Sequence, residues 1–334
     1  MPRAAPQRRA PADSRDAEIS RLRRAVRDGL TRARKSLPPW LFYDAEGSRL
    51  YELITELPEY YPTRTERRIL EDHADAIVAR AAAGAPSVHA LELGAGTATK
   101  SQLLLGAIAR RQPRVLYRPC DVSPEPLALA TARIEREVPR VTVRPVVGHH
   151  EAAIAALCAL PERQLCMFLG SSIGNHEGGE AVDLLARVAR ALHPGGVLLL
   201  GTDLRKSARV LVPAYDDAAG VTAAFNLNVL VRINRELGGH FELGRFRHVA
   251  LWNEQASRME MHLESTVDQI VCVDGLGLDL SFARGERIHT ESSVKYDEPM
   301  VDHLLDAAGL VREESFRDRE DLFAVHVARK TSGK

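Results

Sequence analysis

The chain has 334 residues, and its 45 lysines and arginines balance 45 aspartates and glutamates, so the formal net charge is zero. Nucleic acids and anionic membranes attract clustered basic residues present in excess, and this balance argues against both as partners. With 45% hydrophobic and 27% charged residues, the composition is that of a globular protein with one large or two smaller domains.

The cysteines and the termini indicate where the protein works. The four cysteines, at positions 120, 158, 166 and 272, form no CxxC pair. They predict neither a disulfide framework nor a zinc site, and a reducing cytoplasm is the expected location. The N-terminus lacks the apolar segment of a signal peptide, and the uncharged run Ala218–Val231 is too short and too polar to span a bilayer.

The first 80 residues are predicted to form a tail followed by helices. Residues 1–16 show no periodicity and are expected to be disordered. Apolar residues recur every three or four positions from Ala17 to about Arg34, which predicts a helix. Thr63, followed three residues later by Glu66, predicts the capping box of another helix. Four of the seven tyrosines lie between these helices, at positions 43, 51, 60 and 61.

From residue 88 a pattern of strand, turn and helix repeats. The five short apolar runs are Val88–Leu93, Val115–Cys120, Val141–Val147, Gln164–Leu169 and Val197–Gly201. Near-continuous apolar strands that alternate with helices are typical of a parallel sheet covered on both faces. The sequence therefore predicts an α/β fold, with a mostly parallel, doubly wound, Rossmann-like sheet.

After Asp203 the rhythm changes to one long helix, from about Gly220 to Leu237, and several strand-like stretches. The stretches are Arg247–Trp252, Met259–Ser265, Ile270–Val273 and Ile288–Val294, and a helix Glu298–Ala308 and a strand Leu322–Ala328 follow them. We predict a doubly wound domain formed by residues 81–204 and 296–334. Residues 205–295 are predicted to be an α+β insertion that binds the substrate, and residues 17–80 are expected to join it.

A glycine loop follows the first predicted strand. In Glu92-Leu-Gly94-Ala-Gly96 the glycines allow close approach of a ligand, and the helix that follows favours a negative group. A dinucleotide fingerprint would need glycine where Thr99 stands, which disfavours a nicotinamide oxidoreductase. An acid just before the first glycine is typical of class I methyltransferases, which use S-adenosylmethionine (SAM). Asp121, at the end of the second strand, is placed to accept both ribose hydroxyls.

Several long strings closely resemble the L-histidine Nα-methyltransferases of ergothioneine biosynthesis. They are Lys35–Pro39, Phe42–Ala45, Leu57–Arg64, Phe168–Asn175, Gly201–Leu204 and Ala214–Asn226, and the similarity extends from about residue 20 to 328. The resemblance implies that SAM methylates the α-amino group of L-histidine three times, giving hercynine. It also implies a monomer. No metal is expected, because neighbouring side chains of an extended segment such as His149-His150-Glu151 point apart.

The resemblance further implies a role for individual residues. Residues that match cofactor-binding positions are Gly94, Lys100 and Asp121, with Gly96 of the same loop. Residues that match positions holding the substrate carboxylate and amine are Tyr60, Asn175 and Tyr215, with Tyr43 near the amine. Residues that match the imidazole pocket are Glu291 and Ser293, which bond the two ring nitrogens, and Met261, which lines it.

The residue types agree with this assignment on physical grounds. Glu291 and Ser293 lie two positions apart in a strand-like run and therefore face the same way. A site that hydrogen-bonds a ring nitrogen rejects analogues without it, because buried polar groups would be left unpaired. The sequence shows no dedicated general base, and we expect protons from the amine to leave through Tyr43, Asn175 and water.

One pair departs from the family pattern. After the third strand the family carries Asp-Phe, whose acid accepts a hydrogen bond from the adenine amino group, but this chain has His149-His150. A neutral imidazole accepts one hydrogen bond, and His150 could stack on adenine. Weaker or pH-dependent SAM binding is therefore the expectation.

Two alternatives remain from the sequence. One is an N-methyltransferase for another amino acid, such as a tryptophan derivative, against which Glu291 and Met261 argue. The other is a SAM-binding homologue without activity, for which His149-His150 would be a sign of decay. The presence of Tyr60, Asn175 and the imidazole pair together argues against that second alternative.

Overall fold

The structure is a computed structural model that describes residues 12–161 and 163–330. The chain divides into two compact units. The first comprises Met1–Phe42, Ala223–Val249 and Met261–Glu291, and the second comprises Tyr43–Thr222, Ala250–Glu260 and Ser292–Lys334. Among the described residues, no helix is both long and apolar enough to cross a membrane.

The helices and strands of the described ranges are numbered in chain order. The helices are α1 Ala12–Leu30, α2 Ala45–Glu56, α3 Tyr61–Ala81, α4 Ser101–Arg111, α5 Pro124–Glu137, α6 His150–Cys158, α7 Gly179–Ala191, α8 Ala208–Leu211, α9 Val221–Leu237 and α10 Glu298–Ala307. The strands are β1 Val88–Leu93, β2 Val115–Asp121, β3 Val141–Val143, β4 Val146–Val147, β5 Arg163–Phe168, β6 Val197–Asp203, β7 Phe246–Asn253, β8 Arg258–Ser265, β9 Gln269–Val273, β10 Leu278–Phe282, β11 Arg287–Val294, β12 Leu310–Arg317 and β13 Phe323–Lys330.

The second unit is built on an eight-stranded sheet. Its order is β12-β13-β6-β5-β1-β2-β3, with β4 beside β2. Strands β1 to β6 pair in parallel, whereas β13 runs antiparallel to both β6 and β12. The predicted doubly wound, mostly parallel sheet is confirmed.

Alternate residues of the central strands enter two separate apolar cores. Ala90 and Leu199 belong to one core with residues of α3, α4 and α5. Leu91 and Leu200 belong to the other, with residues of α6, α7 and α10. Because both faces of each strand are buried, both sets of positions must be apolar, which explains the near-continuous apolar runs in the sequence.

The first unit combines α1, most of α9 and a smaller set of strands. Strands β9 and β10 form a two-stranded sheet, and β11-β8-β7 form a three-stranded sheet. Phe42 stacks on Phe225 of α9 with their ring centroids 4.5 Å apart. Arg232 of α9 donates to the carbonyl of Leu41, so α9 holds the segment before the second unit by packing and by hydrogen bonds.

The prediction for the first helix was wrong at both ends. Residues 1–11 of the predicted tail lie outside the described residues, and α1 begins at Ala12 rather than Ala17. The first turns of α1 carry no apolar stripe, so periodicity cannot locate its start. The helix ends at Leu30 because the chain turns back there, and a Cβ on Gly29 would lie 2.0 Å from the carbonyl oxygen of Ser36.

The predicted capping box at Thr63 and Glu66 was also wrong. Helix α3 begins at Tyr61, with Pro62 in its first turn, where the missing N–H costs nothing. Glu66 is fully buried and does not turn back to cap the helix. Its carboxylate accepts from the backbone N–H of Gly170 at 2.9 Å and from Lys100. A buried partner far along the chain thus overrides the local capping pattern.

Three strand predictions needed correction. The predicted strand Val141–Val147 is interrupted after Val143, because Pro145 has no N–H with which to continue the pairing with β2. Strands β10 and β12 were missed. In β12, polar residues such as Glu313 and Glu314 mask the period of two, since half of that strand remains partly exposed.

The unit boundaries differ from the predicted domains. Residues 43–80 belong to the second unit rather than to the insertion, and so do residues 205–222 and 250–260. The reason for the first difference is packing, because Ile69, Leu70 and Ile77 of α3 enter the core beneath the eight-stranded sheet. Apolar periodicity shows that a helix has a buried face but not which core receives it.

Candidate active site

The glycine loop lies between β1 and α4 in the second unit. Gly94 and Gly96 adopt left-handed φ values of 65° and 51°, which favour glycine. A Cβ placed on either would meet nothing within 4 Å, so the loop borders open space. Asp121 fixes it, since its Oδ2 accepts from Gly96 N at 2.9 Å and its Oδ1 accepts from Ser123 N at 3.0 Å.

These residues fit the adenosyl part of SAM. The open glycine turn leaves room for a ligand against the backbone, and Asp121 is partly exposed at the end of β2. Burial raises the pKa of Asp121 above its ordinary value, although three backbone N–H groups oppose the shift. A carboxylate oxygen there can accept from ribose hydroxyls, as the sequence predicted. That contact stays a prediction.

Glu92 lies beneath the glycine loop, where Ser101 of α4 and Tyr117 of β2 both donate to its Oε2. It is 3% exposed, and burial raises its pKa to about 7, with the two hydroxyls opposing the shift. Glu92 thus joins the first turn of α4 to β1 and β2. The acidic residue of the loop motif, Glu92, therefore stabilises the glycine loop by hydrogen bonds to its neighbouring elements.

Lys100 does not stand free for a ligand. Its Nζ forms an ion pair with the buried Glu66, which also holds the backbone of Gly170. Burial alone would lower the pKa of Lys100, but the Glu66 carboxylate raises it above its ordinary value. The pair fixes the start of α4 against the loop after β5, and its role in cofactor binding stays a prediction.

His149 and His150 stand at the start of α6, where His149 precedes the first helical residue. The ring of His150 lies edge-on to Phe168, with centroids 6.0 Å apart, and 5.2 Å from the ring of His176. Burial, and then the charge of His176, lowers the pKa of His150 to about 4. His150 is therefore neutral near pH 7, and its contact with adenine stays a prediction.

The predicted substrate tyrosines cluster in the second unit. The rings of Tyr43 and Tyr51 meet edge to face at 5.8 Å, and those of Tyr51 and Tyr60 at 6.4 Å. Burial, and then proximity to Tyr51 and Tyr215, raises the pKa of Tyr60 well above 10. Tyr60 therefore keeps its proton and can donate it to a carboxylate.

Asn175 is held close to β11. It ends the 3₁₀ turn Ser172–Asn175, which follows Ser171 in a left-handed conformation. A Cβ on Gly174 would lie 2.8 Å from the carbonyl oxygen of Val294 and 3.6 Å from Ser293 Oγ. Glycine at 174 thus brings the turn that carries Asn175 against the strand that carries Ser293.

A buried polar cluster surrounds Ser293. Lys295 Nζ donates to Ser293 Oγ at 2.8 Å, to Tyr215 Oη at 2.7 Å and to Asp203 Oδ2 at 2.8 Å. Tyr215 Oη in turn donates to Ser293 Oγ at 2.8 Å. Asp203 also accepts from Tyr61 at 2.8 Å and from Lys206 at 2.5 Å. The ends of β6 and β11 are joined by this cluster.

Glu291 and Met261 belong to the first unit. Glu291 stands two residues before Ser293 on β11, and both are buried, at 8% and 4% exposure. Met261 of β8 is buried as well, and its carbonyl accepts from Thr290 Oγ1 at 3.0 Å. Strand alternation places the Glu291 and Ser293 side chains on the same face of β11, as predicted.

Sequence reasoning missed four polar residues that support this site, namely Asp203, Lys295, Tyr61 and Glu66, and it missed Lys206, which pairs with Asp203 without contacting Ser293 or Tyr215 in the structure. Composition carried a signal, since only six of the 45 basic residues are lysines, at positions 35, 100, 206, 295, 330 and 334. Lys100, Lys206 and Lys295 all form ion pairs inside the second unit. A lysine ammonium is a compact point charge, which suits an ion pair with a buried carboxylate.

No three His, Cys, Asp or Glu side chains are grouped to hold a metal ion within residues 12–161 and 163–330. A metal-independent reaction stays a prediction. The doubly wound sheet, the open glycine turn after β1 and the carboxylate at the end of β2 define a class I SAM-dependent methyltransferase.

Comparison with known proteins narrows the class. The family described as histidine-specific, SAM-dependent methyltransferases matches residues 22–330. The histidine N-alpha-methyltransferase of Mycolicibacterium smegmatis is 45% identical over 313 residues, which cover 94% of this chain and 96% of that protein. Its counterpart in Mycobacterium tuberculosis is 42% identical, with 94% and 97% covered. The L-tryptophan methyltransferase trpM of Psilocybe serbica is 28% identical, with 93% and 94% covered.

The chain therefore belongs to the family of histidine-specific methyltransferases that depend on SAM.

Proposed function

We propose that this protein transfers methyl groups from SAM to the α-amino group of L-histidine and thereby makes hercynine, the first step of ergothioneine biosynthesis. The observation that carries the proposal is the pair Glu291 and Ser293, both buried and on one face of β11. A carboxylate and a hydroxyl two residues apart can satisfy the two nitrogens of an imidazole. The 45% identity to a histidine N-alpha-methyltransferase over nearly the whole chain supports it.

The amino-acid end of the substrate would be held by Tyr60 and Asn175, with Tyr215 close to Tyr60 but donating its hydroxyl proton to Ser293 Oγ. Tyr60 keeps its proton because its pKa is raised, so it is a neutral donor for the carboxylate. Neutral donors suit this site, since they fix the carboxylate without protonating the amine that must react. Asn175 has both an amide donor and a carbonyl acceptor, and it can orient the amine from a turn fixed at Gly174.

The reaction is an in-line displacement in which SAM supplies a methyl group on a sulfonium. The amine lone pair forms a new C–N bond while the S–C bond breaks, so the side chains mainly orient the amine and exclude water. The substrate nitrogen must lose a proton before each of the three transfers, because an ammonium has no lone pair to attack, and we propose that the protons leave through Tyr43, Asn175 and water. After the third transfer the nitrogen has no proton to lose.

The test is to incubate the purified protein with SAM and L-histidine and to follow the histidine mass over time. Accumulation of the trimethylated species is expected, with L-tryptophan unchanged in a parallel reaction. Glu291→Ala should lower kcat/KM for histidine at least about a hundredfold, because a ring N–H would be left unpaired. Glu314→Ala, which removes only an exposed ion pair with Arg80, is the control and should change nothing.

Methylation of tryptophan in preference to histidine would overturn the substrate assignment, whereas transfer to neither amino acid would overturn the enzyme assignment. Accumulation of a mono- or dimethyl product would overturn the count of three.

We further propose that the protein acts in the cytoplasm as a monomer, without a nucleic-acid partner. Its zero net charge supports the absence of such a partner. Sedimentation at the assay concentration should give a mass of one chain, and a dimer would contradict the proposal.

A further inference from the structure

We propose that Lys295 is a positioning residue which fixes the hydroxyl of Ser293 as a hydrogen-bond donor toward the substrate. The inference rests on the proposed function, in which Ser293 bonds one nitrogen of the substrate ring. It extends that function to a residue that does not itself touch the substrate.

The first step is the hydrogen-bond capacity of Lys295. A lysine ammonium has three protons and no acceptor. All three are used, on Asp203, Tyr215 and Ser293, at distances between 2.7 and 2.8 Å. Since Lys295 is fully buried, no water competes for these protons, and the direction of each bond is fixed.

The second step is the capacity of Ser293. Its Oγ has two lone pairs and one proton, and it accepts from both Lys295 Nζ and Tyr215 Oη, each at 2.8 Å. Both lone pairs are therefore occupied by donors. The serine proton is the remaining hydrogen-bonding group of this hydroxyl, so its next partner must be an acceptor.

The third step is the permanence of the lysine charge. Burial alone would lower the pKa of Lys295, but Asp203 and then Tyr215 raise it well above its ordinary value. Burial alone would raise the pKa of Asp203, but Lys295 and Lys206 lower it. The buried pair therefore stays ionised, and Lys295 cannot turn into an acceptor that would reverse the bonds around Ser293.

The consequence is selection of one form of the ring. Ser293 offers a proton, whereas the carboxylate of Glu291, two residues away, accepts one. A neutral imidazole with one N–H and one bare nitrogen satisfies both groups. An imidazolium, or the other tautomer in the same pose, would direct an N–H at a hydroxyl that has no lone pair left.

The experiment uses Lys295→Met and the matched control Lys206→Met. Both lysines donate to Asp203, but in the structure only Lys295 of the two reaches Ser293 and Tyr215. Two dissociation constants are measured for each protein. The first is that of L-histidine in the presence of S-adenosylhomocysteine, and the second is that of S-adenosylhomocysteine alone. Lys295→Met should raise the dissociation constant of histidine about tenfold to a hundredfold and change that of S-adenosylhomocysteine less than about threefold. Lys206→Met should leave both constants within about threefold of the parent values.

A double-mutant cycle with Ser293→Ala separates positioning from mere structural support. If Lys295 acts through Ser293, adding Lys295→Met to the Ser293→Ala protein should raise the dissociation constant of histidine by less than about threefold. An unchanged histidine affinity in Lys295→Met, or full additivity in the cycle, would overturn the inference. If Lys295→Met does not fold, the same cycle is run with Lys295→Gln, whose neutral amide can still donate to Asp203 while Lys206 keeps that carboxylate paired. If the parent protein does not bind histidine, the proposed function itself is contradicted.

Discussion

The Nζ of Lys295 and the Oδ2 of Asp203 lie 2.8 Å apart, and each side chain is only 1% exposed. The pair joins the end of β6 to the residue that follows β11. A buried charge that loses its partner is strongly destabilising, whereas an exposed ion pair contributes little.

We therefore expect Asp203→Asn to lower the free energy of unfolding by about 3–5 kcal/mol, because two lysines would lose their shared carboxylate. The control is Asp302→Asn, whose ion pair with Arg312 lies nearer the surface and should cost about 1 kcal/mol or less. Urea denaturation measures both. Equal losses in the two variants would contradict a special role for the buried pair.

Gly201 of β6 has no space for a larger side chain. A Cβ there would lie 2.1 Å from Oε1 of Glu66, which cannot swing away because Gly170 and Lys100 hold it. Gly201→Ala should therefore cost about 1–3 kcal/mol of stability. Gly179→Ala, where a Cβ meets nothing within 4 Å, is the matched control and should be neutral or stabilising in thermal denaturation. A neutral Gly201→Ala would mean that Glu66 is free to move.

Glu92 should make stability depend on pH. Burial raises its pKa from 4.5 to about 7, so the folded state keeps a proton that the unfolded state releases between these values. Its contribution is therefore present below pH 4.5 and is lost as the pH rises to about 7, by roughly 3 kcal/mol at most. Glu92→Gln should flatten this fall when unfolding free energies at pH 5 and pH 8 are compared. Parallel pH profiles for the parent and the variant would refute it.

The His149-His150 pair permits a test of SAM binding. The pKa of His150 is about 4, so its charge does not change between pH 5.5 and 8.5, and His150→Phe should leave the pH profile of SAM affinity unaltered. A change of the profile in that variant would contradict the neutral state of His150.

His149→Asp should tighten SAM about tenfold, since a charged acceptor for the adenine amino group makes the stronger hydrogen bond. Isothermal titration of SAM measures the effect. No gain would show that residue 149 does not face adenine.

Local patterns in the sequence predicted the order of strands and helices well, because the central strands are buried on both faces and leave an unbroken apolar signal. These local patterns failed at residues whose structural role depends on a partner far away in the sequence. Glu66 has the spacing of a capping residue, yet its partners are Lys100 and Gly170. Strand β12 is half-exposed and rich in charge, so its pairing with β13 has no strong local signature.

The residues of the candidate site also fall into those that the sequence predicted and those that it missed. Resemblance to the family supplied the residues that would face ligands, including Tyr60, Asn175 and Glu291. Asp203 and Lys295 were missed because their importance comes from a contact between residues 92 positions apart, each unremarkable beside its own neighbours. Support beneath a site is a property of the tertiary fold, and single-sequence patterns do not record it.

Strand β13 pairs with a strand that the ribosome makes about 120 residues earlier. Throughout that interval, β6 exposes the backbone edge of Val197–Asp203, a run that is entirely buried in the finished protein. An apolar strand with an open edge invites pairing with other chains. Translation that stalls or stops between residues 204 and 322 should therefore release aggregation-prone fragments, and chaperones should engage the nascent chain during that stretch of synthesis.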